Sequence, residues 1–415
     1  MEAYDHSPIS LFRIGLNPLS VGLFLVILCL ATPPAAQTQT LNVLAAFNQT
    51  GSLGWSPASG LVTDQAGRLY GTNSSGGNFG CGTAYRLARA GSGWIATELY
   101  DFQGGSDGCY PASNLTFGPD GTLYGITTTT NHGDGYGTVY NLRPPAVVCR
   151  AVQCPWVETT LYTFTGGSGG GIGDSGPDAD VLVFDNAGNI YGTTPFQGAF
   201  GCGVVFKLSR SGGGWTESVL WNFTCDNDGG FPFSGVAFDN DGNLYGTTQI
   251  GGRDGGGVVY KLSPSGSDWT QSTLYSFGEA DNGDPVGGVI LDAQGNIYGT
   301  TGCEGDGGEA YELSPSSDGW EISKRQVLTS SPCDTPTLDA EGNLWGTGSV
   351  GGQGFGEVFK LSPSGNGWTY TRIYEFTREQ ALPIAGVTFD SSGNLYGTST
   401  DGGSHAAGIA WQIIP

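Results

Sequence analysis

Residues 239–248 read DNDGNLYGTT. Asp and Asn tolerate turn conformations and Gly supplies positive φ, so DNDG predicts a tight turn. NLYGTT, short and rich in aromatic and β-branched residues, predicts the strand that follows. The segment recurs as DQAGRLYGTN at 64, NAGNIYGTTP at 186, DAQGNIYGTT at 292, DAEGNLWGTG at 339 and DSSGNLYGTS at 390, with a looser copy, GPDGTLYGIT, at 118. The chain therefore carries seven copies of one unit.

Outward from residue 239 the whole unit can be read. SGVAFD (234–239) is an apolar strand, and VVYKLS and WTQSTLYSF are a third and a fourth strand, separated by Gly-rich or Ser/Asp-rich turns. The aromatic residue of each second strand falls at Tyr70, Tyr124, Tyr191, Tyr245, Tyr298, Trp345 and Tyr396. Four strands in roughly 50 residues is the period of a β-propeller blade. The seventh unit stops at its third strand, GIAWQIIP, and an orphan strand, TLNVLAAF (40–47), precedes the first unit. A linear stack has no reason to split a unit across its termini, whereas a ring closes by it. The expectation is an all-β, seven-bladed β-propeller with four antiparallel strands per blade, closed by the N-terminal strand (41–47) completing the last blade.

The unit GxxFDxxGNLYGTTxxGG…GxVFKLSPSGxGWTxTxLYxF resembles the GloVer (Gloeo–Verruco) tandem repeat of exported bacterial proteins of the choice-of-anchor type, and more distantly NHL-type propellers. The resemblance covers nearly all of the chain after residue 36. It implies a propeller and export, and no particular activity. The chain departs from the anchored pattern by ending on a strand without an apolar tail, which favours free export.

Composition agrees. Of 415 residues 74 are Gly, and 15 Lys and Arg stand against 38 Asp and Glu, a net charge of -23. Without a positive stripe to displace phosphate counterions, nucleic acid is excluded as a partner. Arg13, the apolar run VGLFLVILCLA (21–31) and PPAAQ read as a secretory signal cut near Ala36, leaving 37–415 as a single propeller domain without a membrane span. A membrane anchor is the weaker reading because the run is short.

Eight cysteines remain once Cys29 is set aside with the signal, which suits disulfides. Cys81, Cys202 and Cys303 lie in loops between second and third strands. Cys109, Cys225 and Cys333 lie in the loop that leads to the next blade. The predicted pairs are 81–109, 202–225 and 303–333, all on one face, with Cys149 and Cys154 closing a local loop on the other.

The repeated Asp before each turn invites a calcium reading, but it lacks the rest of a calcium loop, and turn chemistry explains it. Calcium stays a possible ligand; no other cofactor is implied. The Trp that opens each fourth strand is read as packing between blades or covering the outer turn. Variable residues concentrate in the loops of the disulfide face, and Trp55, Tyr110, Asp134, Asp226, Asp228, Phe231, Asp281, Asp284, Glu304 and Asp306 are the candidate binding residues there. Only two histidines follow the signal, and no nucleophile motif is set on an elbow, so a catalytic role is disfavoured. The expected function is a binding or scaffold module for an extracellular or envelope partner, protein or glycan. The alternative is a carboxylate- or calcium-dependent hydrolase of a glycan, lactone or phosphate ester, with two or three carboxylates converging near the axis.

Overall fold

Every blade is an antiparallel sheet whose strands we letter a to d outward from the axis. A computed structural model describes residues 39–132, 135–146, 155–167, 181–278, 283–303, 307–350 and 354–414. Blade four is typical: a (Ala237–Phe238), b (Leu244–Thr248), c (Val258–Ser265) and d (Asp268–Ser276) pair in that order. Seven such sheets make a seven-bladed β-propeller, and Thr40–Pro415 is one compact unit. In blade seven the outermost strand is Thr40–Ala46, which runs antiparallel to strand c (Ile409–Ile414) from Thr40 opposite Ile414 to Ala46 opposite Ile409. The termini therefore share one sheet.

The recurring decapeptide is explained position by position. The Asp239 Oδ1 accepts the backbone N–H groups of Asp241 and Asn243 (both 2.9 Å), and its Oδ2 accepts the Asn243 side-chain amide (2.6 Å) and the Tyr245 hydroxyl (3.0 Å). The same constellation recurs at Asp185, Asp292 and Asp390. At Asp339 the indole N–H of Trp345 replaces the hydroxyl (2.7 Å). In the looser copy Gly118 stands in the Asp position, and Asp120, two residues on, accepts from Thr122 and from Tyr124 (3.0 Å). Four protein donors meet each of the Asp185, Asp239, Asp292, Asp339 and Asp390 carboxylates and three meet Asp120, which is the side-chain chemistry of a tight turn.

Leu244 fills the core. A Cβ on Gly246 would overlap the Tyr260 ring of strand c, and Tyr85, Tyr140, Phe206, Tyr311, Phe359 and Trp411 occupy that position in the other blades. The Thr247 hydroxyl donates to the Gly287 carbonyl of blade five (2.8 Å). Equivalent latches run from Thr193 to Ser234, Thr347 to Ala385 and, across the closure, Thr398 to Ser59. Strand a accordingly pairs over only two residues, shorter than the six expected, because its upstream half bonds to the preceding blade. Blade two departs in the other direction: its strand b (Leu123–Thr129) is longer and pairs also with Cys109–Pro111, which gives that sheet a fifth strand.

Among the described residues, a proline of six blades locks against a glycine of the blade before it. A Cβ on Gly82 would lie 2.6 Å from Pro111 Cδ, on Gly203 2.6 Å from Pro232 and on Gly257 2.8 Å from Pro285. Gly408 of blade seven meets Pro57 of blade one in the same way. The strand-d tryptophans also lie between blades: Trp156 packs on Tyr70, Trp368 on Tyr298 and Trp94 on Tyr396.

The turn carboxylates give the fold an acid limit. Burial by itself would raise Asp185, Asp239, Asp292 and Asp390, but the donors around them outweigh it and hold them below the usual range. A depressed folded pKa stabilises above the unfolded value, near 4, and that stability is lost as pH falls through the folded value. Melting temperature is expected to drop steeply below about pH 4. A profile flat to pH 2 would count against this account.

Candidate binding face

Loops b–c and d–a emerge on one face, where three disulfides cluster: Cys81–Cys109, Cys202–Cys225 and Cys303–Cys333. They close loops of 28, 23 and 30 residues, each a stabilisation of about 3 kcal/mol in the chain-entropy account. Cys149 and Cys154 lie outside the described residues. Three disulfides mark a chain exported to an oxidising compartment. Among the described residues no helix is long and apolar enough to cross a membrane.

The predicted site residues separate into distinct roles. Asp134, Asp281, Glu304 and Asp306 lie outside the described residues. Asp228 is half-buried and caps its own loop, accepting from the Trp221 indole (3.2 Å), the Thr224 N–H (3.2 Å) and the Thr224 hydroxyl. Asp107 does the same for Tyr100 and Gln103 in blade one. Asp226 is exposed at the tip, its carbonyl accepting from Gly229 and Gly252. Trp55 exchanges backbone hydrogen bonds with Ser75 and packs against the core below it.

Tyr110, Phe231 and Asp284 turn out to be structurally equivalent. Each precedes a locking proline, and with Ser56 and Leu382 they have φ of 59°, 59°, 65°, 60° and 60°. Their N–H groups bond to the b–c loop of the preceding blade, at Cys81, Cys202, Gly256, Ala407 and Phe355 respectively. The left-handed region costs a non-glycine residue roughly 1–2 kcal/mol, and a following proline disfavours it further. All five side chains are half-exposed. Tyr110 lies edge-on to His132 at 6.4 Å, and Phe231 packs with Phe196 at 5.6 Å. Phe79 (49% exposed) and Phe200 (62%) project from loop tips beside Cys81 and Cys202, in a shared FGCG sequence.

Below this rim the axis is closed. Asn114 of blade two accepts the Gly60 N–H (2.5 Å) and also bonds Asp334 of blade six from across the ring. The Asp334 carboxylate further accepts the N–H groups of Thr335 (2.6 Å) and Gly386. Burial pushes Asp334 up to about 6 against these donors. In blade two, burial pushes Glu158 up to about 7 against the Thr160 hydroxyl, with the Asp107 charge adding to the rise.

A raised folded pKa has the opposite sign from the turn aspartates. The folded chain holds a proton that the unfolded chain has released, so stability is lost as pH rises from about 4 through the folded value. Together the two groups place the stability maximum near pH 4–5. Asp334→Asn is expected to flatten the limb between about pH 4 and 6, and melting curves across that range would show it. An unchanged slope would refute the assignment. Both Asp334 oxygens are already partnered.

A disulfide-pinned ring of four-stranded blades, closed across its termini, with a uniform skeleton under one face of unlike loops, defines the class: a tandem-repeat seven-bladed propeller. The repeat profile of the Gloeobacter/Verrucomicrobia repeat matches residues 32–180 and 177–411, and the chain belongs to that family. No curated protein matches it. Among solved structures it is similar to the extracellular domain of a candidate one-component system from B. thetaiotaomicron, with TM-score 0.54 and 11% identity over 90% of this chain and 41% of that one. A candidate 6-phosphogluconolactonase from Bacteroides uniformis matches with TM-score 0.49 and 17% identity, over 76% of this chain and 84% of that one. PorZ, a surface component of the Porphyromonas gingivalis type-IX secretion system, matches with TM-score 0.49 and 15% identity, over 89% of this chain and 48% of that one. At these identities the likeness is one of fold.

Proposed function

We propose that the protein is an exported binding module that recognises an extracellular or envelope partner through the loops of its disulfide face, after removal of a signal segment near Ala36. The observation that carries this reading is the contrast between skeleton and face. The repeated Asp, Asn, Tyr, Gly, Thr and Pro are committed to turns, close approaches and latches between blades. The face varies from blade to blade and presents Phe79 and Phe200 to solvent on rigid, disulfide-pinned tips. Exposed aromatics on a preorganised frame are the usual anchors of an interface. The hydrolase alternative would draw on axial carboxylates such as Asp334, whose two oxygens accept backbone N–H groups.

The test is an array of glycans and peptides probed with the whole protein and with the Phe79→Ser/Phe200→Ser variant. Binding is expected to fall at least about tenfold, the loss of one 1.4 kcal/mol contact, while melting temperature stays nearly constant because the changed side chains are exposed. Undiminished binding would reject the reading. So would turnover of a glycoside, lactone or phosphate ester that Asp334→Asn abolishes.

A further inference from the structure

We propose that the pre-proline residues Ser56, Tyr110, Phe231, Asp284 and Leu382 form a specificity ring that reads a basic polypeptide segment carrying apolar side chains. The inference rests on the binding reading above and names the residues and partner chemistry within it.

Four observations lead to it. First, one backbone geometry recurs in five blades, with φ between 59° and 65° and an N–H bond to the preceding blade each time. Five side chains are thus held at equivalent stations on a rigid rim, each half-exposed. Secondly, the conformation favours glycine, and this chain places glycine at positive φ throughout its turns and loops. At these five stations it instead keeps Ser, Tyr, Phe, Asp and Leu. Strain retained at a partly exposed position points to a use for the side chain. Thirdly, the five side chains differ in size and polarity while their frame does not. A purely architectural position would repeat one residue, as the locking prolines and their partner glycines do.

The fourth observation is the chemistry of the stations and their surroundings. Tyr110, Phe231 and Leu382 offer aromatic faces and apolar surface, and Asp284 offers a carboxylate. Exposed Asp226, Glu379 and Asp401 stand on the neighbouring loops. The whole chain carries -23. Cations are attracted both to aromatic faces and to such a field, whereas an acidic partner is repelled. A polypeptide that alternates Lys or Arg with apolar residues satisfies both halves of the ring.

The experiment uses the full chain with three fluorescent probes: an alternating Lys–Leu octapeptide, its Glu–Leu counterpart and a neutral β-glucan oligosaccharide. Anisotropy titrations would be run at low and at physiological salt, on the native protein and on Tyr110→Gly, Phe231→Gly and Asp284→Asn. The Lys–Leu probe is expected to bind, more weakly as salt rises, and the Glu–Leu probe not to bind. Each ring variant should weaken Lys–Leu binding by about fivefold or more, while the glycine variants melt at or above the native temperature. Failure of Lys–Leu to bind, or preference for the glucan, would overturn the partner class. Glycine variants that melt well below native would show the side chains to be structural and overturn the ring. Binding that survives the ring variants but is lost in Phe79→Ser/Phe200→Ser would also overturn the ring, while leaving the binding function in place.

Discussion

Replacing Phe47 with alanine is expected to lower stability by about 3–5 kcal/mol, the usual range for an aromatic deleted from a well-packed core. Phe47 is 1% exposed and its ring lies 4.9 Å from that of Tyr85. It follows the strand that completes blade seven, and Tyr85 belongs to blade one, so the contact joins the two ends of the ring. Phe102 makes the same contact with Tyr140 between blades one and two, also at 4.9 Å. Phe102→Ala is therefore the matched control, with a similar equilibrium cost. The two should differ in where they loosen the fold. Phe47→Ala should speed amide exchange in Thr40–Ala46 and Ile409–Ile414, because the first of these strands is held by no covalent neighbour in its sheet. Phe102→Ala should leave those amides protected. Equal exchange in the two variants would mean that the N-terminal strand is not the weak point of closure.

Gly203→Ala is the second large effect. The added methyl would meet the Thr194 carbonyl oxygen first, and would sit 2.6 Å from Pro232 Cδ and 2.8 Å from the Pro195 carbonyl oxygen, at a φ of 88°. None of these neighbours is the far end of a flexible side chain. Overpacking of about 1–3 kcal/mol adds to roughly 1–2 kcal/mol for a Cβ in the left-handed region, so the variant should lose about 2–5 kcal/mol. Gly242→Ala, at φ 84° in an open turn with nothing near its methyl, isolates the backbone share and should lose only about 1–2 kcal/mol. Urea denaturation of both variants would separate the packing share from the backbone share. Equal losses would dismiss the Pro–Gly interlock as a source of stability.

Much of this architecture was legible in the chain. Period, strand count, closure and the three pairs 81–109, 202–225 and 303–333 follow from repetition, because seven copies of one local pattern average out the ambiguity of any single strand. The turn at the repeated aspartates was also readable, since Asp, Gly and Asn at fixed offsets are a local signal. The interblade side of the same decapeptide was not. Nothing near Thr247 in sequence says that its hydroxyl reaches the Gly287 carbonyl, 40 residues on. The site was legible only in part. Tyr110, Phe231 and Asp284 stood out as loop residues of suitable chemistry, but Ser56 and Leu382 did not, because what unites the five is a backbone angle. The proline that stands at a constant distance before six of the seven turns was a partial signal for them, since it also marks Ser331, which does not have a positive φ. Asp228 shows the converse: an acid in a variable loop that proves to cap the loop itself.

By itself, then, the sequence determined the all-β class, the seven units and the ring, since those depend on local turn chemistry, strand period and the split of one unit between the termini. Which side chains share the rim, which carboxylate meets Asn114 at the axis and which glycines tolerate no methyl were decided only in three dimensions. Such contacts join residues from different blades, and their distances are set by how the wedges pack around a common axis.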